Sequence, residues 1–290
     1  MCRLLILCAL IFISPLVFSW SEYGHILVAQ SALTQLPQSK QNRLNVAASN
    51  ILSQVPSKQS ERYKRHRSWA SSFAVLSAWP DSIRDLNLDK VFSGAGERIP
   101  PSLKYLSKKT SSRWHYSNTF YGAKHCSLKN SGLLYQIIDD IKASLKSEKL
   151  TNGQQVILLA FLAHLVADAY QPLHNIAMVD SGCQHDRGGN TFCLQGCKSN
   201  LHRYWDGGAG LFSSTERKQL LGELSIRNTS PHSKPGALDD ELVWFVYSTS
   251  KNQTPSPEYQ ARAQAISQQK LTEASRYLSA LLKDLYDDPR

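Results

Sequence analysis

Gln154 to Tyr170 is apolar on nearly every face of the helix it predicts, yet His164 and Asp168 stand inside it. A helix that is hydrophobic all round must be covered all round, so the rest of the chain has to wrap it. Pro172 cannot continue such a helix and ends it in a turn, which carries His174. The buried carboxylate constrains the fold further. An unpartnered one costs several kcal/mol or is forced to take a proton. Asp168 is therefore either paired or set against a metal ion.

Helical periodicity dominates elsewhere. Ile26–Leu36, Leu133–Leu145, Glu241–Ser248 and Tyr259–Tyr286 read as helices, and strand-like alternation is almost absent. Loops are expected at 93–101, 180–200 and 252–258. No repeat, low-complexity tract or composition shift marks a linker. The economical reading is one compact, mainly α domain over 20–290.

The start of the chain reads as a signal peptide. One positive residue, Arg3, precedes an apolar run from Leu4 to Phe18, and Val17 and Ser19 suit the small-residue cleavage positions. The run is short for a membrane span, polar residues follow at once, and no later stretch is expected to cross a membrane. Cleavage after Ser19 makes Trp20 the first residue of an exported protein, secreted or periplasmic. Cys126, Cys183, Cys193 and Cys197 then remain, and in an exported chain they most simply form two disulfides with three possible connectivities. A four-thiolate zinc site would want paired C-x-x-C knuckles, which are missing. The net charge of +10 suits a polyanion and equally suits plain solubility. Asn228 and Asn252 begin glycosylation sequons, which matter only in a eukaryotic secretory pathway. Nothing implies a stable protein partner, so a monomer is expected.

The candidate ligands form a pattern. His164 and Asp168 are at i and i+4 and project from one helix face, and His202 and Asp206 repeat the spacing on a second predicted helix. His174, Asp81, His115 and His25 add to them. Imidazole with carboxylate is zinc chemistry. Each residue alone has a plainer reading: Asp81 as the N-cap of a helix over Ser82–Leu86, His25 as a surface residue at a helix start. The set, with two i, i+4 pairs, is hard to explain that way. His66, His125, His185 and His232 are read as loop residues with no carboxylate at ligand spacing.

The order of the motifs carries a resemblance. W-x-x-x-G-H from Trp20, SAWPDSIR around Asp81, W-H-Y at 114–116, H-x-x-x-D-x-x-Q-P-L-H from His164, and G-G-N followed by N-L-H-x-x-W-D ending at Asp206 occur in one series. Together they resemble the secreted zinc-dependent single-strand nucleases, the type I nucleases that include mung bean nuclease. The resemblance covers Trp20 to about Asp206 and implies a fold of the phospholipase C/nuclease type with a tri-zinc cleft. Zinc phospholipases C are similar in metal pattern, but they usually end the last pair with Glu and place the first His farther from the N-terminal Trp. A non-catalytic zinc module that binds nucleic acid is the third alternative.

Carried over residue by residue, the resemblance implies three zinc ions. Asp81, His115, His164 and Asp168 would hold the first, and His174, His202 and Asp206 the second. The α-amino nitrogen and carbonyl oxygen of Trp20, with His25 and the shared Asp168, would hold the third. Paired zincs lower the pKa of water toward ~7 for attack on phosphorus. The implied activity is hydrolysis of single-stranded DNA and RNA to 5′-phosphate products, with removal of 3′ phosphates from nucleotides. Asp81 and Asp168 would serve catalysis. Arg84 could hold phosphate as a bidentate donor or be an ordinary surface ion pair. Tyr116 could stack on a base or pack against Trp114. Asn118 stands near the substrate, where several relatives carry Asp.

Overall fold

The computed structural model describes residues 20–55, 61, 64–212, 217–226 and 234–286; the expected leader, Asn228 and His232 lie outside them. In chain order the helices are α1 (Glu22–Leu33), α2 (Gln38–Gln54), α3 (Ser72–Leu76), α4 (Trp79–Ile83), α5 (Leu88–Gly94), α6 (Leu134–Ser147), α7 (Asn152–Tyr170), α8 (Leu201–Asp206), α9 (Arg217–Ile226), α10 (Asp240–Val246) and α11 (Pro257–Leu285). Strands β1 (Thr119–Gly122) and β2 (Ile176–Val179) pair in parallel, and β3 (Cys193–Leu194) pairs antiparallel with β4 (Ser199–Asn200). The fold is mainly α.

The central helix is α7, and its start is specified locally. Gln154 N–H donates to Thr151 Oγ1 at 3.0 Å while Thr151 N–H donates to Gln154 Oε1 at 2.9 Å, a reciprocal capping box. From Val156 to Tyr170 every residue is buried. Helices α1, α2, α6 and α11 surround it. By length and composition α7 could cross a membrane, contrary to expectation, but protein rather than lipid covers it. Each fully buried Leu, Ile, Val or Phe along it contributes on the order of 2 kcal/mol. A smaller apolar cluster gathers Leu173, Ile176, Trp205, Val246 and Tyr259 beneath α8 and α10. Thr151 Oγ1 also donates to Glu97 at 2.8 Å. Thr151→Ala should therefore cost about 1 kcal/mol, lowering the melting temperature by roughly 2 °C. An unchanged thermal melt would mean that packing alone sets the start of α7.

Several expectations are corrected. Helix α2 was not anticipated, and α1 begins at Glu22 rather than near Ile26. Asp81 lies within α4, whose N-cap is Ala78, so it does not cap a helix over Ser82–Leu86. His66 is not a loop residue without a carboxylate: it is buried, its Nε2 lies 3.0 Å from Glu22 Oε1, and its ring meets Tyr23 and Trp69 edge-on. The four cysteines form Cys126–Cys183 and Cys193–Cys197, which excludes a thiolate zinc site.

Candidate metal centre

The end of α7 brings the i, i+4 pair His164 and Asp168 to the inner wall of a cleft, and neighbouring elements deliver the rest. Helix α4 brings Asp81, the segment before β1 brings His115, the turn Pro172–His174 brings His174, and α8 brings His202 and Asp206. All seven are at least nine-tenths covered in their side chains. Parallel pairing of β1 with β2 aligns Thr119 with Ile176 and so sets His115 beside His174.

The donor atoms converge in two groups. In the first, His115 Nδ1 lies 3.0 Å from Asp168 Oδ2, 3.0 Å from His164 Nε2 and 3.7 Å from Asp81 Oδ1. His164 Nε2 lies 3.3 Å from Asp168 Oδ2 and 3.6 Å from Asp81 Oδ1. A tetrahedral zinc with bonds of about 2.0–2.1 Å separates its ligand atoms by about 3.3 Å. The spacing is that of a zinc cage. In the second group, Asp206 lies 3.8 Å from His174 Nε2 and 3.6 Å from His202 Nε2. That group has three protein donors, which leaves a fourth position for water or substrate.

Asp168 joins more than one group. Its Oδ2 serves His115 and His164, while its Oδ1 lies 3.5 Å from His25 Nε2 and 3.7 Å from His174 Nδ1. His25 stacks on His164 with ring centroids 3.7 Å apart. Trp20 is fully buried beside these residues. Its indole N–H donates to the carbonyl of Ala167 at 2.9 Å, and Ser21 N–H donates to the carbonyl of Asp206 at 2.8 Å.

Backbone carbonyls fix the imidazoles. His164 Nδ1–H donates to Ser77 O at 2.9 Å, His202 Nδ1–H to Gly188 O at 2.6 Å, and His174 Nδ1–H to His115 O. A carbonyl can only accept, so each Nδ1 carries the proton there and Nε2 is the nitrogen that faces the other donor atoms. Gln171 Nε2–H donates to Asp206 Oδ1 at 2.6 Å and aims that carboxylate. Gly188 has φ +65°, and a Cβ there would fall 2.3 Å from the carbonyl oxygen of Leu173, so only glycine fits.

The charges also call for cations. Burial alone would raise both acids of the first group, but His164 holds Asp168 well below the usual range and Asp81 down to about 2. Burial would lower His164, yet Asp168 and Asp81 raise it to about 10, so without metal a proton supplies the missing positive charge. His25 is lowered to about 3, by burial and by His164. Asp206 is pushed up to about 7 by burial. His174 Nε2, His202 Nε2, Asp206 Oδ2 and Asp168 Oδ1 are buried without a hydrogen-bond partner, which such polar atoms rarely are unless a ligand takes their place. These residues fit zinc. His125 with Cys126 and Cys183 offers no comparable site, because both sulfurs are spent in a disulfide.

A cleft of about 360 Å³ opens over the two groups. Arg84, Tyr116 and Asn118 all line it. Tyr116 is half-buried, and its hydroxyl lies 3.0 Å from Ser131 Oγ, while the ring that packs near Trp114 is Phe161. The side-chain oxygen of Asn118 is buried without a hydrogen-bond partner, and its backbone N–H donates to Asn130 Oδ1 at 3.1 Å. Phe120, His185 and Arg187 also line the cleft and were missed. His185, read as a plain loop residue, carries no ligand spacing; Gln171 is the first residue of the Q-P-L-H motif but was given no role, and Arg187 was visible only as the residue before G-G-N.

Residues 20–229 match the S1/P1 Nuclease family, a span that contains every donor described above. No curated protein matches the chain. That family is zinc-dependent and of the phospholipase C/nuclease type, in keeping with the helical frame, the His/Asp clusters and the two disulfides, which fit an extracellular protein. With more than half of its length matched, the chain belongs to the S1/P1 nuclease family.

Proposed function

We propose that this chain is an exported enzyme, cleaved after Ser19, that hydrolyses single-stranded DNA and RNA to 5′-phosphate products and removes 3′ phosphates from nucleotides. The observation that carries the reading is the division of Asp168, one oxygen toward His115 and His164 and the other toward His25. Asp81, His115, His164 and Asp168 would hold one zinc; His174, His202 and Asp206 a second; the main-chain nitrogen and oxygen of Trp20, His25 and Asp168 a third. The family match beginning at Trp20 supports that residue as the mature terminus. When bound, zinc lowers the pKa of water toward ~7 and offsets phosphate charge.

The chain's own groups do the rest. Asp168 and Asp81 set the negative charge of the first group and orient His164 between them. Gln171 holds Asp206 with one oxygen free. Arg84 holds a phosphate oxygen in the cleft, and Asn118 offers an uncharged oxygen where several relatives carry a carboxylate. Tyr116 stacks on a base, which works for any base once it is out of a duplex stack. Tyr116→Ala is therefore expected to cost about 1–3 kcal/mol in binding single strands while zinc content is retained. Equal affinity of wild type and variant for an uncleavable oligonucleotide would return Tyr116 to a packing role.

The whole reading is tested by in-gel digestion of single-stranded DNA and RNA, with and without a chelator, beside a phospholipid hydrolysis control. Clearing of both nucleic acids, lost with chelator and restored by zinc, is expected. Hydrolysis of the lipid alone would overturn it.

A further inference from the structure

Three residues outside both metal groups meet at one lip of the cleft. Phe120 stands on β1 in register with Ala177 of β2, and His185 is bridged to Val179 at the other edge of β2. Their rings meet across that strand, with centroids 5.3 Å apart. Arg187 follows with φ +58°, a left-handed conformation that an arginine rarely adopts. Gly188 and Gly189 continue the left-handed run at φ +65° and +78°. The turn is held because Gly188 must present its carbonyl to His202.

The lip is braced. Cys183 ties its start to Cys126, and Met178 N–H donates to Asp186 Oδ1 at 2.9 Å. His185 and Arg187 are nonetheless exposed, and among the described residues the Arg187 guanidinium has no ion pair or hydrogen bond. An open ring pair beside an unspent guanidinium in a cleft offers a π face and a phosphate donor together. A lipid chain would use neither.

The geometry points to a second nucleotide subsite, in which the Phe120–His185 ring pair stacks the base of the nucleotide next to the one at Tyr116 and Arg187 holds its phosphate. The inference rests on the nuclease reading of the cleft. It makes the preferred substrate a strand of at least two unstacked nucleotides rather than a mononucleotide.

The test uses the zinc-loaded mature protein, titrated with a phosphorothioate-linked thymidine tetranucleotide and with thymidine monophosphate. Phe120→Ala and Arg187→Ala should each weaken the tetranucleotide at least about fivefold and the mononucleotide less than about twofold. Arg187→Lys should recover part of the loss. If Phe120→Ala fails to fold, His185→Ala carries the same comparison. Unchanged tetranucleotide affinity, or equal loss for both ligands, overturns the subsite. A wild type that cleaves no phosphodiester tetranucleotide overturns the nuclease reading instead, while the titration still decides the subsite.

Discussion

Asp168→Asn is expected to abolish hydrolysis and to remove more than one zinc per chain. The substitution keeps the shape of the side chain but removes the charge at the point where His25, His115, His164 and His174 all come within 3.0–3.7 Å. With cations bound around it, the site would lose its shared anion in a fully buried position. Breaking a buried charge arrangement by deleting one partner costs about 3–5 kcal/mol. Metal binding and folding are linked, so the loss should appear first as metal release. A few kcal/mol of lost transition-state stabilisation corresponds to about a thousandfold or more in rate. Elemental analysis and an oligonucleotide assay on the same preparation read both effects, with circular dichroism confirming retained helix. Unchanged zinc content in the folded variant would remove Asp168 from its shared position.

A protein that keeps even one residue before Trp20 should retain two zincs and be nearly inactive. An α-amino group has an unperturbed pKa of about 7.7–8.0, and a neighbouring cation pulls it down so that the neutral amine can bind. An amide nitrogen has no such lone pair. Trp20 is also held in place, fully buried with its indole N–H donating to the carbonyl of Ala167. The signal-cleaved protein and a one-residue extension, each verified by mass spectrometry, should differ by one zinc and by most of the activity. Matching zinc content and activity would exclude Trp20 as a ligand.

How much of this was legible in the sequence depended on distance along the chain. Helix α7 was readable because an unbroken apolar run can only be buried, and the i, i+4 pairs were readable because a helix turns spacing into a shared face. Helix α2 was overlooked although Leu44, Ala48, Ile51 and Leu52 form a buried stripe at helical spacing. Its other faces are polar, and Pro37 supplies no side-chain cap, so the stripe stood without a start signal. The pairing of β1 with β2 brings together segments more than fifty residues apart, each too short to show alternation. That pairing places Phe120 beside His185, and no local pattern encodes it. The same holds for the carbonyls of Ser77, His115 and Gly188, which orient three ligand histidines through backbone atoms common to every residue. His66 and Glu22 failed for a related reason: they pair across 44 positions, where ligand spacing has no meaning.

Anomalous diffraction at the zinc edge from crystals of the signal-cleaved protein tests the central claim most directly. Three peaks per chain are expected, two of them sharing Asp168 with one carboxylate oxygen each and the third bounded by His174, His202 and Asp206. Two peaks or fewer, or three with Asp168 bound to a single ion, would contradict it.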